Sequence, residues 1–165
     1  MPRVYARHMQ SRYVRGLTVR SLRNGDTQTV SALFARLGER SRQRRFCGAK
    51  PRLSELELAN LARVDRDHHV LVGYADGDAE PAGIARLVRD GSSAEIAFAV
   101  ADEYQSRGYG SILASELAAD ARAAGITRLM ATVCGDNPRI VALLERLGSI
   151  DARWRGGERE FVVGL

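Results

Sequence analysis

The stretch AEIAFAVADEYQSRGYGS, residues Ala94–Ser111, decides the fold, because it joins a β-strand to a glycine-bearing loop that opens a helix. In its first half, Ile96, Phe98 and Val100 alternate with small or polar residues, which is the period-two pattern of a strand. Its second half contains the letters QSRGYG, and both glycines stand where the helix is expected to begin.

The loop has the pattern Gln105-x-x-Gly108-x-Gly110, and Ser111 continues into the helix. A helix N-terminus presents unpaired N–H groups and a partial positive charge, which favours a phosphate. Glycine lacks a Cβ, so the backbone can approach a ligand closely. The sequence therefore predicts a phosphate or diphosphate site, and a plain strand-to-helix turn is the alternative. A dinucleotide-binding fold would need a third glycine where Leu113 stands.

A second motif, NPRIVALLERLG, covers Asn137–Gly148 and resembles the N-x4-A-L-x4-G helix of the GNAT N-acetyltransferase superfamily. The Gln105–Gly110 loop is similar to the pyrophosphate-binding motif of that superfamily, Q/R-x-x-G-x-G/A. Both motifs occur in the expected order and at the expected separation. The resemblance implies the acyl-CoA N-acyltransferase fold, an α/β (α+β) domain with a mixed central sheet and helices on both sides.

The N-terminal half narrows the resemblance to the Pat-type bacterial protein lysine acetyltransferases. Their acceptor-side helices carry a pattern S-x3-R-F … L-S-x-x-E-L … D, which is similar to Ser41–Phe46, Leu53–Leu58 and Asp65. We therefore expect residues 16–165 to form the acetyltransferase domain. Residues 1–15 are polar and basic and are predicted to form a mobile tail.

Apolar periodicity, caps and turn residues predict the element order β-α-α-β-β-β-α-β-α-β-β. The first strand is expected at Leu17–Leu22, and Asp26 is expected to cap the first helix. Another helix should follow Pro51, and Gly125 should end the long helix that begins at Tyr109.

The resemblance implies acetyl-CoA as co-substrate. Its diphosphate is expected on the backbone N–H groups of 107–111, and its pantetheine is expected to pair with 98–100 like an added strand. Asn137 and Arg146 would line the opposite wall, although helix capping and solvent exposure are the alternatives. The predicted cofactor-binding residues are Phe98, Ala99, Val100, Gln105, Arg107, Gly108, Tyr109, Gly110, Ser111, Asn137 and Arg146.

Glu95 is the predicted general base, because it stands on the strand expected to hold the pantetheine, ten residues before the loop glutamine. Pat-like enzymes are expected to carry a catalytic glutamate there. An exposed glutamate on a sheet face is the alternative, and Asp102 and Glu103 in the turn are weaker candidates for the base. Val100 is the predicted source of the N–H group that stabilises the oxyanion. Many superfamily members have a tyrosine where this chain has Leu144, so either water or a residue such as Tyr104 or Tyr109 must protonate the thiolate.

The predicted reaction is acetyl transfer to a primary amine, with a protein lysine as the expected acceptor. A small amine such as a polyamine or antibiotic, and a catalytically silent acyl-CoA-binding regulatory domain, are the alternatives. The identity of the acceptor is left open, because acceptor loops vary on a shared fold.

Composition limits the other classes of function. The net charge is +5, with an arginine-rich segment at 36–52 and an acidic balance over 53–165, which suits a cationic amine. No DNA- or RNA-binding module accompanies the basic segment, so a nucleic-acid partner is not expected. No membrane span or signal segment is predicted. Cys47 and Cys134 are interpreted as reduced thiols of a cytoplasmic protein, no metal site is expected, and the oligomeric state is left open.

Overall fold

A computed structural model of the chain describes residues 11–165, which form an eight-stranded sheet and five α-helices. The strands are β1 (Arg12–Val14), β2 (Leu17–Ser21), β3 (His68–Ala75), β4 (Gly83–Asp90), β5 (Ser93–Val100), β6 (Arg128–Val133), β7 (Ser149–Arg155) and β8 (Glu158–Gly164). The helices are α1 (Thr27–Ala35), α2 (Glu39–Phe46), α3 (Glu55–Leu61), α4 (Tyr109–Ala123) and α5 (Pro138–Glu145). A short 3₁₀ turn, Asp102–Tyr104, lies between β5 and α4.

The sheet has the order β1-β2-β3-β4-β5-β6-β8-β7 and is antiparallel except between β5 and β6. That parallel pair is short, because only residues 93–95 of β5 pair with residues 128–130 of β6. Beyond it β5 continues to Val100 along β4, whereas β6 continues to Val133 along β8. The two central strands therefore separate and open a cleft in the middle of the sheet.

Each face of the sheet is covered by helices that local signals begin and end. On one face α4 buries Leu113, Leu117 and Ala121, each fully inaccessible to solvent. On the other face α1 and α3 pack against β3. Asp26 caps α1 by accepting the N–H of Thr29 at 3.0 Å, as the sequence predicts. The mixed-sheet fold expected from the sequence is thus confirmed.

The structure adds two elements to the predicted order. One is the edge strand β1, which pairs with β2 through Arg12–Val14. The predicted boundary between tail and domain at residue 16 is therefore too late, because part of the supposed tail belongs to the sheet. The rest of that tail, residues 1–10, lies outside the described residues. The other added element is α2, which follows Gly38 directly.

Among residues 11–165, none of the helices combines the length and the hydropathy that crossing a bilayer requires.

Candidate active site

The separation of β5 from β6 opens a cleft of about 730 Å³. Residues 95–100 of β5 form one wall, and residues 131–133 of β6 form the wall opposite. Helix α2 and the beginning of α4 close one side, and α5 closes the other. The cleft is therefore a groove whose long wall is a strand edge that pairs with no other strand of residues 11–165.

The edge of β5 offers backbone hydrogen-bonding groups to this cleft. Ala101 N–H donates to Ala82 O at 2.8 Å on the β4 side, so strand alternation directs the N–H of Val100 to the opposite side. The same alternation directs the backbone of Phe98 toward the cleft. An extended, amide-bearing ligand can pair with such an edge as an added strand would. The N–H of Val100 thus faces the cleft, and its oxyanion role stays a prediction.

The N-terminus of α4 closes one end of the cleft with free amides. Gly108 is the N-cap residue and has no side chain to occupy the first turn. Among the described residues, the first α4 amide with an intrahelical acceptor is Ile112, which donates to Gly108 O at 3.1 Å. The N–H groups of residues 109–111 are therefore available to an anion, in the field of a 15-residue helix.

The two loop glycines have different roles. Gly108 has φ of 84°, a left-handed conformation that strains other residues, and no atom lies within 4 Å of the position a Cβ would take. A Cβ on Gly110 would instead lie 3.5 Å from Leu143 Cδ1 and 3.6 Å from Val100 Cγ2, which are ordinary contacts. Glycine at position 108 is thus favoured by the backbone conformation, whereas a side chain at position 110 would contact Leu143 and Val100.

Gln105 fixes the loop to the strand and to α2. Its Nε2 donates to Val100 O at 3.1 Å and to Ser41 Oγ at 3.0 Å. Ser41 in turn donates to Asp102 Oδ1 at 2.6 Å. The glutamine therefore joins the end of β5, the 3₁₀ turn and α2 through its side-chain amide. The sequence predicted Gln105 as a cofactor-binding residue, and the structure gives it a positioning role as well.

Two predicted residues have side chains that lie outside the cleft lining. Tyr109 is half-buried against Tyr104, and its hydroxyl donates to Gly16 O at 3.4 Å. Arg107 is exposed and stacks over the Tyr104 ring at 5.1 Å. Of the two, only Tyr109 contributes a backbone N–H to the free first turn of α4. The other nine predicted cofactor residues line the cleft, namely Phe98, Ala99, Val100, Gln105, Gly108, Gly110, Ser111, Asn137 and Arg146.

Helix α5 borders the cleft through its first turn and its arginines. The side chain of Asn137 accepts a hydrogen bond from the N–H of Ile140 at 3.4 Å and so caps α5. Helix capping is the alternative role that the sequence gave for this residue. Arg146 is exposed at the rim, as is Arg139, which the sequence analysis did not single out. Periodicity alone could have placed Arg139 and Arg146 on one side of the helix, seven residues apart.

Glu95 lies at the end of the cleft away from the α4 amides. Its side chain is exposed, and it also lines a second cavity of about 250 Å³ that adjoins the cleft. Ala97 and Ala99 follow it on the same face of β5, so no large side chain separates the carboxylate from the strand edge. The position is open both to the cleft and to the acceptor side.

Neither of the two positions discussed for the general acid, 144 and 104, is well placed to protonate the thiolate. Leu144 is fully buried in the core, so the position where a tyrosine was expected does not face the cleft. Tyr104 lines the cleft, but its hydroxyl donates to Asp78 Oδ2 at 2.7 Å, and this bond raises the pKa of Tyr104. The bonds from Arg36 and Tyr104 hold the pKa of Asp78 below its usual range.

Cys47 and Cys134 form a disulfide, with Cα atoms 5.4 Å apart. Cys47 ends α2 and Cys134 follows β6, so the bond links two walls of the cleft. The prediction of two scattered, reduced thiols is therefore wrong. The Glu158 carboxylate lies within 4.8 Å of both sulfur atoms.

Comparison with known proteins agrees with this geometry. Residues 35–149 match the acetyltransferase (GNAT) family. The chain belongs to this family. A curated relative, acetyltransferase Pat of Mycolicibacterium smegmatis, is 37% identical over 108 residues, which cover 63% of this chain and 32% of that protein. The chain thus spans about a third of the length of that relative.

Two solved structures support the same assignment. The GNAT domain of S. lividans PAT has a TM-score of 0.81 and 26% identity, with 90% of each chain covered. A cAMP-binding acyltransferase from Mycobacterium smegmatis has a TM-score of 0.65 and 27% identity, with 98% of this chain and 49% of the other covered. The resemblance to Pat-type GNAT domains stated from the sequence is confirmed.

Proposed function

We propose that this GNAT protein is an acetyl-CoA-dependent N-acetyltransferase and that its acceptor is a protein lysine. The observation that carries the proposal is the cleft, which has free helix amides at one end, an unpaired strand edge along its length and the Glu95 carboxylate at the other end. The helix amides suit the diphosphate of acetyl-CoA, and the strand edge suits its pantetheine. The Glu95 carboxylate lies where an amine would meet the thioester of the same ligand.

The residues present suit the co-substrate. The amides of residues 109–111 and the rim arginines Arg139 and Arg146 complement its phosphates. The backbone of Phe98 and Val100 complements its amide-bearing arm. Acetyl-CoA supplies the activated acetyl group. Val100 is five residues from Glu95 along β5, about 16 Å in an extended strand, so its N–H suits the arm of the co-substrate better than a thioester carbonyl beside Glu95.

Glu95 acts as the base in this proposal. A lysine amine has an ordinary pKa of about 10.4, so only about one molecule in a thousand is neutral at pH 7.4. A carboxylate that receives the ammonium proton, directly or through one water, converts the bound amine into a nucleophile. Glu95 is exposed at the junction of the cleft and the adjoining 250 Å³ cavity, which we call the acceptor cavity, and an amine in that cavity can reach both the carboxylate and the thioester.

The lysine acceptor is supported by the resemblance of residues 41–65 to the acceptor-side helices of Pat-type protein lysine acetyltransferases. The similarity to the GNAT domain of S. lividans PAT covers 90% of this chain, so it is not confined to the cofactor half. The acceptor cavity also opens to solvent beside α3, so a side chain on a protein surface can enter it.

The test compares thiol release from acetyl-CoA over a panel of lysine-bearing proteins, lysine peptides, polyamines and aminoglycosides. Lys50 is the only lysine of the chain, so the Lys50→Arg background removes self-acetylation at lysine. In that background Glu95→Gln should lower turnover about 10²-fold or more while acetyl-CoA affinity is preserved. Glu80→Gln, at an exposed glutamate outside both cavities, is the matched control.

Each outcome has a distinct meaning. Transfer to polyamines or aminoglycosides but to no lysine substrate would overturn the lysine acceptor and leave the enzyme class. Tight acetyl-CoA binding without transfer to any amine would favour a silent acyl-CoA-binding domain. Wild-type turnover in Glu95→Gln would exclude Glu95 as the base.

A further inference from the structure

The acceptor cavity beside Glu95 has a positive charge that the reaction does not require. Arg45 of α2 and Arg86 of β4 line it together with Glu95, and the cavity holds about 250 Å³. Its other carboxylate, Glu57, is held in an ion pair with Lys50, which lowers the pKa of Glu57 to about 2. Among the described residues, two guanidinium groups therefore share this cavity with one carboxylate that has no ion-pair partner.

Neither arginine is satisfied by the described part of the protein. Arg45 makes no hydrogen bond or ion pair to any residue in 11–165, and its described contact is the Phe46 ring at 4.9 Å. Arg86 donates from one terminal nitrogen to Asn60 O at 3.2 Å, but its buried Nε has no partner among the described residues. Burial and the charge of Arg86 lower the pKa of Arg45 to about 10, whereas Glu95 opposes that shift.

The strand register fixes where this charge lies relative to the base. Arg86 is opposite Ala97, and Glu95 is two residues before Ala97 on the same face of the sheet. Diagonal neighbours of this kind are about 7–8 Å apart. In an extended peptide, side chains two residues apart lie on one face at a spacing of about 7 Å. Two peptide side chains that are two residues apart can therefore reach Glu95 and Arg86 at the same time.

We infer that Arg45 and Arg86 form an anion subsite that reads an acidic residue close to the acceptor lysine. Guanidinium groups bind carboxylates through paired N–H donors. Of the terminal nitrogens of Arg86 only Nη2 has a hydrogen-bond partner among the described residues, and neither terminal nitrogen of Arg45 has one. The carboxylate of that acidic residue offsets the positive field of the two arginines, which would otherwise repel the lysine ammonium from the cavity. This inference rests on the proposed function, because it specifies the sequence around the acceptor amine.

The probe is a set of nine-residue peptides with one central lysine in a Gly/Ala/Ser background and a blocked N-terminus. Glutamate is placed in turn at each of the two positions before and after the lysine, with alanine and arginine at the same positions for comparison. We expect at least one glutamate position, most strongly two residues from the lysine, to raise kcat/KM about tenfold over alanine through a lower KM. Arginine at that position should lower kcat/KM.

The variants Arg45→Gln and Arg86→Gln should each remove most of the glutamate preference, measured within each variant as the ratio of kcat/KM for the glutamate peptide to kcat/KM for the alanine peptide. Arg86→Lys should restore part of it, since the charge remains without the paired donors. Arg40→Gln is the control, because Arg40 lies on the same helix and lines neither cavity. Thermal melting and acetyl-CoA affinity show that each variant is folded.

The same peptides are titrated by calorimetry into the protein with coenzyme A, so that recognition is measured without turnover. Equal affinity for the glutamate and alanine peptides, or a preference that survives in both arginine variants, would overturn the anion subsite. Preferential binding of the glutamate peptide without any acetylation would support the subsite and overturn the proposed reaction instead.

Discussion

Removal of the Cys47–Cys134 disulfide should destabilise the protein strongly. The two cysteines are 87 residues apart in sequence, so the bond closes a loop that contains α3, four strands of the sheet and all of α4. Cross-linking a loop of this length removes unfolded-state entropy worth about 4.6 kcal/mol at 25 °C in the chain-entropy account. With a urea m-value of about 2 kcal/mol/M, the unfolding midpoint should fall by about 2 M.

The assay is urea denaturation of four samples, namely the wild type with and without reductant and a Cys47→Ser, Cys134→Ser double variant under both conditions. Reductant should shift the wild type to the midpoint of the double variant and leave the double variant unchanged. Because Cys47 lines the cleft and not the acceptor cavity, the acetyl-CoA affinity should also change more than the acceptor KM. Two free thiols titrated in the unfolded, unreduced wild type, or equal midpoints with and without reductant, would refute the reasoning.

Two further predictions, made with three substitutions, test the anion site and the edge strand. Gly108→Ala should weaken acetyl-CoA binding at least about fivefold, because a Cβ at φ of 84° costs ~1–2 kcal/mol. Gly110→Ala should change the acetyl-CoA affinity by less than about twofold. Equal losses of affinity in the two variants, measured by calorimetry, would contradict the distinction between the two glycines. Arg12→Ala should lower the free energy of unfolding by ~1–2 kcal/mol, since Arg12 donates at 3.1 Å to the buried Asp120 carboxylate and also pairs with Glu116; an unchanged urea midpoint would mean that this part of the predicted tail is dispensable.

Local signals explain why most of the fold could be predicted. Asp26 caps α1, Ser54 and Glu57 form a capping box at α3, and Gly108 begins α4. These residues act within one turn of the chain, so the sequence alone carries them. The strand alternation around Ile96 is equally local.

The features that were missed depend on contacts between distant residues. Strand β1 is three residues long, and Arg12 is held by Asp120, 108 residues away. The disulfide exists because α2 and the end of β6 meet across the cleft, which no spacing rule indicates. It also removes one argument for a cytoplasmic location, because reduced thiols were part of that prediction.

The spacing of the α5 motif also did not predict which side chains face the cleft, because the orientation of the helix decides that. The position seven residues after Asn137 was expected in the active site, but Leu144 faces the core and its neighbour Leu143 faces the cleft. Likewise, the acidic balance of residues 53–165 suggested a site suited to cations. The structure gives the acceptor cavity two arginines, one of them contributed by α2 from the basic segment.

The poor placement of the candidate acids costs the proposed reaction little. Deprotonating an amine of pKa ~10.4 at pH 7.5 costs about 4 kcal/mol, whereas a thiolate leaving group of pKa ~8.5 takes up a proton spontaneously at that pH. The protein therefore needs a base more than an acid, and Tyr104 is committed to Asp78. We expect Tyr104→Phe to change turnover less than about threefold, far less than Glu95→Gln. Single-turnover rates of the two variants with saturating acetyl-CoA compare the steps directly, and equal losses would show that Tyr104 supplies a proton after all.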